Sequence, residues 1–526
     1  MPKSASKLLV VGIDAANPAL LLRWAEEGIL PNIRSLLERG ILGKTRSVEG
    51  FFVGSTWPSL YTGVTPARHG FHYLSQLKPG TYEFFRQAEE GIVKSDAFWS
   101  RLSQAGRRVA VLDVPLSRID PSLNGIQVVE WGAHDSVYGF RTSPPHLTET
   151  IKSRFGVHPL SSSCDGIRTT PRDYGRFVDA LIEGVQAKGE LTKYFLQQGG
   201  WDFFMQVFTE SHCVGHQCWH LHDTTHPAHD PSIVAAIGDP LRRVYTSIDR
   251  AVGEILHEAG DTLIVLLVAH GMSYWYGAQF LLPEILCRLG VTKLLAATSA
   301  SGSVVSMSVE GAKRAWRCLP VNLRQQVARL RRRLQPTVTR NRLPTIGIEP
   351  ESSICFPYNN GLGVGGIRLN LAGREPQGIL EPNAVDEFCN ELSDDLLSIV
   401  DQRTCKPLVR RVLRTADLYT GEFLDHLPDL LVEWNDIIPT GSTVVGHGAG
   451  AAVRCHSPKI GTIEGVNEYG RTGEHRLEGL FIAAGPGVCP GVIQRDISIL
   501  DFAPTFARIL DVDLHDCDGH PIVELL

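Results

Sequence analysis

The residues of this sequence best suited to chemistry are an aspartate, a threonine and four histidines. Asp14 closes the run "KLLVVGID", His270 closes "DTLIVLLVAH", and His475 stands in "RTGEHRLEG" just ahead of an apolar run. His212 and His216 follow another run in "FTESHCVGHQCWH", and Thr56 lies in "GSTWPSLYTG". Histidines at i and i+4 present both imidazoles on one face of a helical turn, a spacing used by zinc sites. Each element alone has an ordinary explanation. Ser55 and Thr56 read equally as helix caps with Pro58 in the first turn, and His220, His222, His226 and His229 make the region histidine-rich in any case. The combination carries the signal, because open α/β sheets gather their functional groups at the carboxyl ends of strands, where Asp14, Glu210 and His270 fall.

The elements that must position these groups are legible as short apolar runs. Strands are predicted in 7–14, 107–114, 201–210, 261–270, 428–434 and 477–485, with helices over 18–38, 97–105, 172–198, 239–259 and 498–510. Alternation of this kind implies an α/β fold, a mainly parallel central sheet covered by helices on both faces. The stretch "KRAWRCLPVNLRQQVARLRRRLQPTVTRNRLP" differs in character: it is basic, with Val321, Leu323, Val327, Leu330 and Leu334 at helical spacing. It reads as an amphipathic helix in an insertion, either solvated, capping an anionic substrate, or forming a surface for an acidic partner.

Composition narrows the classes. The 526 residues suffice for a large core plus a second lobe, and a formal net charge of −6 makes no case for nucleic acid. The longest apolar stretch, Thr262 to Ala269, has strand length, so no membrane partner is expected. The N-terminal run is too short for a signal peptide. Eleven cysteines without a CxxC pair suggest reduced thiols, hence a cytoplasmic location.

In order and context, these residues resemble the alkaline phosphatase superfamily, specifically its type I phosphodiesterase and nucleotide pyrophosphatase branch. That branch carries an early Asp, a Thr or Ser in a T-x-P turn, D-x-x-x-H, D-H-G-M, and a late His before G-P-G. Matching places here are Asp14, Thr56 in "TWPSLYTGVTPARHG", His216, His270 in "AHGM", and His475 ahead of "FIAAGPG". "GGIRLNLAGREPQGIL" and the closing "ISILDFAPTFARILDVDLHDCDGHPI" are similar to segments of the same group. The resemblance is weakest through 136–190 and 295–345.

It implies a three-layer α/β sandwich: core in 1–295 and 401–526, and an inserted cap at 296–400. It also implies that Thr56 attacks phosphorus and that its helix orients it, with Ser55 as rival. Two departures stand out: His212 replaces an acidic ligand, and Ala269 replaces an aspartate. One metal position becomes His212, His216 and His475, a set suited to zinc with an open fourth place; the other keeps Asp14, His270 and the Thr56 hydroxyl. One or two Zn2+ ions are therefore expected, with Glu210, His134 or Asp135 as candidate replacements for the lost carboxylate. The expected activity is metal-dependent hydrolysis or transfer of a phosphate-ester, phosphodiester or sulfate-type group on a small anionic molecule. A mutase or transferase of specialised metabolism and a non-catalytic metal-binding descendant are the alternatives. Arg471, Arg368 and Arg374 are candidate anion contacts, and Trp57, Tyr274, Trp275 and Tyr276 candidate stacking groups.

Overall fold

A computed structural model of the chain describes residues 7–86, 92–132, 136–160, 164–294 and 347–526. The predicted basic helix, His134 and Asp135 lie outside the described residues.

Leu8–Ile13, Phe203–Phe208 and Leu263–Val268 are buried at every position, as expected of continuous apolar strands covered on both faces. They form the middle of a nine-stranded sheet. Across it the strands run Gly491–Ser498, Ile41–Arg46, Glu478–Ala484, Leu263–Val268, Leu8–Ile13, Phe203–Phe208, Val109–Leu112, Gly125–Val129 and Arg141–Ser143. The five strands from Leu263–Val268 to Gly125–Val129 pair in parallel. Glu478–Ala484 runs antiparallel to both of its neighbours. Apolar clusters on the two faces complete a three-layer α/β sandwich.

The helices start where the sequence supplies caps. Asn17 accepts from the Leu20 amide, Thr170 from Asp173, and Asp239 from Leu241 and Arg242, each just ahead of a proline in the first turn. The helix predicted over 18–38 is two helices, Pro18–Glu26 and Pro31–Arg39. Gly28 in the left-handed region and Pro31 break it.

"PDLLVEW" does form a strand, Leu430–Trp434, but outside the central sheet. It belongs to a four-stranded antiparallel sheet with Cys355–Tyr358, Val364–Leu369 and Val409–Arg414, whose strands come from both sides of residue 400. A third cluster of apolar side chains packs against this sheet.

Candidate active site

Strand register brings the site together. Ile13 pairs with Phe208 and Gly12 with Leu267, so the chain leaves three adjacent parallel strands at Asp14, Thr209 and Ala269 at one level. The Asp14 amide donates to Phe208 O, and Ser211 Oγ donates to Asp14 O at 2.6 Å. That bond pins the start of the helix Glu210–His222 beside the first strand. Ala15 after the first of these strands, Asp113 and Leu116 after Val109–Leu112, and Glu130 after Gly125–Val129, none of them glycine, have positive φ. Backbone strain of this kind collects at functional sites.

After His270 the chain forms the short strand Gly271–Tyr274, antiparallel to Gly473–Arg476, with Met272 opposite His475. This ribbon sets the His270 and His475 rings 4.8 Å apart between centroids. The ligand helix packs on the same ribbon. A Cβ at Gly473 would meet Gly215 O at 2.2 Å, so the approach needs glycine there. His216 Nδ1 donates to Gly473 O at 2.8 Å, and the Thr472 amide donates to His216 O. With Nδ1 protonated, His216 Nε2 presents its lone pair. That atom lies 3.1 Å from His475 Nε2.

Ligand atoms of His212, His216 and His475 lie within 4.8 Å of one another, all buried. Two nitrogens on a tetrahedral zinc, each about 2.0 Å from it, stand about 3.3 Å apart. The His216–His475 separation is close to that value, and three buried imidazoles are a donor set that suits a metal ion. A bond such as that from His216 Nδ1 to a carbonyl is of the kind that orients metal-binding imidazoles. His270 stands outside this trio; burial pushes its imidazole down to about 3, so it is neutral at physiological pH.

Asp14, Thr56, His212, His270 and His475 line one cavity of about 80 Å³. Val53, Gly54, Trp57, Phe71, Tyr73, Leu74, Pro115, Leu116 and Thr209 complete the wall. Neither lysine nor arginine is among these described lining residues. Trp57 Nε1 donates to Asp14 Oδ1 at 2.7 Å, fixing the carboxylate.

Thr56 starts a seven-residue helix. Its Oγ1 donates to Phe52 O at 2.8 Å and lies 2.6 Å from Ser47 Oγ. Ser55 does not cap this helix; its hydroxyl donates to Phe71 O at 2.6 Å and does not line the cavity. Ser47 and Thr209, neither singled out from sequence, stand at the site because they follow directly on strands.

Other candidates fall elsewhere. Glu210 faces away from the trio, its Oε1 2.9 Å from His158 Nε2 and 3.4 Å from Lys188 Nζ. Ala269 is fully buried among apolar side chains. Arg471 is paired with Asp165 at 2.8 Å, with Nη1 3.5 Å from His216 Nε2. Arg368 and Arg374 bind Glu375, and Arg374 also binds Asp429, within the second sheet's region. Tyr274 donates to Asp436 O, Trp275 stacks on Tyr469, and Tyr276 lies under Arg476; of the four aromatic candidates only Trp57 lines the cavity.

Residues 8–335 match the family model of type I phosphodiesterase / nucleotide pyrophosphatase. The chain belongs to this family. Among solved structures it resembles the wild-type alkaline phosphatase PafA, at 13% identity and TM-score 0.54, covering 100% of this chain and 99% of that one. The alkaline phosphatase-like fold follows from that match. Phosphonoacetate hydrolase from Sinorhizobium meliloti 1021, in complex with phosphonoformate, matches at 16% identity and TM-score 0.49, covering 97% and 96%. An inactive form of murine ectonucleotide pyrophosphatase/phosphodiesterase 5, in complex with AMP, matches at 11% and 0.43, covering 98% and 97%. No curated protein matches the chain. No described helix is long and apolar enough to cross a membrane.

Proposed function

We propose that this protein is a zinc-dependent hydrolase of small-molecule phosphodiesters, with Thr56 as nucleophile. One observation carries the reading: a hydroxyl, a carboxylate and three imidazoles from five separate segments line a single cavity. Zinc held by His212, His216 and His475 would polarise a phosphoryl oxygen and stabilise charge on the leaving oxygen. Thr56 Oγ1 gives its proton to solvent and attacks phosphorus, the leaving oxygen departs and takes a proton from solvent as the alcohol, and water then cleaves the threonyl phosphate ester, releasing the monoester and restoring the Thr56 hydroxyl. Ser47, in hydrogen-bond contact with that oxygen, orients it for attack. Asp14 and His270 supply the remaining polar wall.

The diester preference rests on charge. A wall without lysine or arginine among its described residues suits a monoanionic diester better than a dianionic monoester, whose second charge would need a further cation. Phe71, Tyr73 and Trp57 offer an apolar surface for the leaving group. The second sheet is read as part of a cap that extends the 296–400 insertion to Trp434. Every described cysteine is a free thiol, which supports a reducing, cytoplasmic setting.

The test is turnover of bis-p-nitrophenyl phosphate, p-nitrophenyl phosphate and p-nitrophenyl sulfate by zinc-loaded protein in labelled water. The expected result is a kcat/KM for the diester at least about tenfold above the others, with label in the product. Label-free product would move the assignment to group transfer. No turnover of any ester would make the chain a binding protein.

A further inference from the structure

Behind the ligand helix lies a second buried polar cluster. Lys188, on the helix Pro171–Gln197, is 2% exposed and projects under the strand ends. Its Nζ lies 2.9 Å from Thr209 Oγ1, 3.2 Å from Gly132 O and 3.3 Å from Val207 O. Glu210 Oε1 is 3.4 Å away and Asp113 Oδ2 3.6 Å. Asp113 also accepts from the amides of Trp131 and Gly132, and Glu210 from His158 Nε2. The chamber is shaped for this cluster. A Cβ at Gly132 would stand 2.6 Å from Lys188 Cε, and one at Gly184 would stand 2.6 Å from His158 Nε2.

An ammonium ringed by carbonyl, hydroxyl and carboxylate oxygens occupies the kind of cage that a hard cation prefers. Here the cation is tethered to a helix and joins the loop after Val109–Leu112, the Gly132 turn, Phe203–Phe208, and the first residues of the helix Glu210–His222. Removing one member leaves buried charge without compensation.

We infer that Lys188 is a built-in structural cation that positions the helix Glu210–His222, and through it His212 and His216; this rests on the metal-centre reading above. Burial alone would lower the Lys188 ammonium, but Glu210 and Asp113 outweigh it and hold the group above its ordinary value. Lys188 reaches the cavity only through Thr209, so it is a positioning residue that acts through the helix.

The test measures zinc affinity of full-length, chelator-stripped protein by competition with a chromophoric chelator, with circular dichroism and thermal melting recorded alongside. Lys188→Met and Glu210→Gln are expected to bind zinc about 10–100-fold more weakly while still folded, the usual effect of losing support behind a ligand. Lys193→Met, which removes a lysine paired with Glu190 and Glu254 on the same helix, should bind like wild type. Wild-type affinity in folded Lys188→Met overturns the inference. If that variant does not fold, Gly184→Ala provides the reading: it favours helix but crowds His158 and Glu210, so unchanged affinity there also overturns the inference. A folded wild type that takes up no zinc overturns the metal-centre reading itself, a result distinct from variants that match a zinc-binding wild type.

Discussion

His216 and His475, 259 residues apart in sequence, hold their Nε2 atoms 3.1 Å apart in a buried pocket. The His216 proton is committed to Gly473 O on the other side of the ring. Two imidazole nitrogens this close either share a proton, with His475 donating, or bind one cation between them, and the proposed metal centre takes the second. His216→Ala is therefore expected to lose stoichiometric zinc by elemental analysis while keeping its fold. His222→Ala, at the end of the same helix and bonded to Asp239, should keep it. Equal zinc in both variants would remove the trio as a metal centre.

Thr56 and Ser55 separate cleanly by environment. Thr56 lines the cavity, whereas the Ser55 hydroxyl is spent on Phe71 O. Thr56→Ala is expected to lower kcat by at least about 10³-fold, and Thr56→Ser to stay within about tenfold, because the nucleophilic oxygen survives. Ser55→Ala should keep kcat and lose about 1 kcal/mol of stability, the ordinary worth of a buried hydrogen bond. Steady-state kinetics and urea unfolding of the three variants check this, and a large kcat loss in Ser55→Ala alone would reassign the nucleophile.

The middle of the sheet was more legible than its edges. Strands buried on both faces announce themselves as unbroken apolar runs, so Leu8–Ile13, Phe203–Phe208 and Leu263–Val268 stood out. Ile41–Arg46 and Gly491–Ser498 escaped because each buries only two of its positions near the sheet edge and so shows no continuous apolar run. Strand direction and sheet membership have no local signature, so the sequence shows Glu478–Ala484 and Leu430–Trp434 as strands without showing that the first is antiparallel or that the second lies outside the central sheet. Glu210 drew attention as a carboxylate near the histidines. Its true partners, Lys188 and His158, come from remote segments, and only the fold brings them to it.

Trp57 and Asp14 form a buried pair that sequence reading treated separately. The indole N–H holds one carboxylate oxygen of a side chain that lines the cavity. Trp57→Phe keeps an aromatic ring but removes the pyrrole portion of the indole together with that donor. The expected cost is about 1.5–3 kcal/mol in urea unfolding, the range for a hydrogen bond to a charged group. Turnover should fall about 10–100-fold as Asp14 loses its fixed orientation. Unchanged kcat/KM would mean that Asp14 plays no part in the reaction.

Acid stability tests the fold apart from the metal. His69 is fully buried: its Nδ1 accepts from the Phe71 amide, and its Nε2 lies 2.9 Å from Ser59 Oγ. Burial pushes it down to about 3, and does the same to His72. In the unfolded chain each would titrate near about 6.5. Between these values the unfolded state binds the proton and the folded state does not. Stability from this source is thus complete above about pH 6.5 and is lost as pH falls toward the folded value. Each such histidine steepens the decline by about 1.4 kcal/mol per pH unit. Urea midpoints of chelator-stripped protein between pH 6.5 and 4.5 should fall less steeply in His69→Asn, whose side-chain oxygen can still accept from Phe71. Parallel curves for variant and wild type would show that His69 takes up its proton inside the fold without penalty.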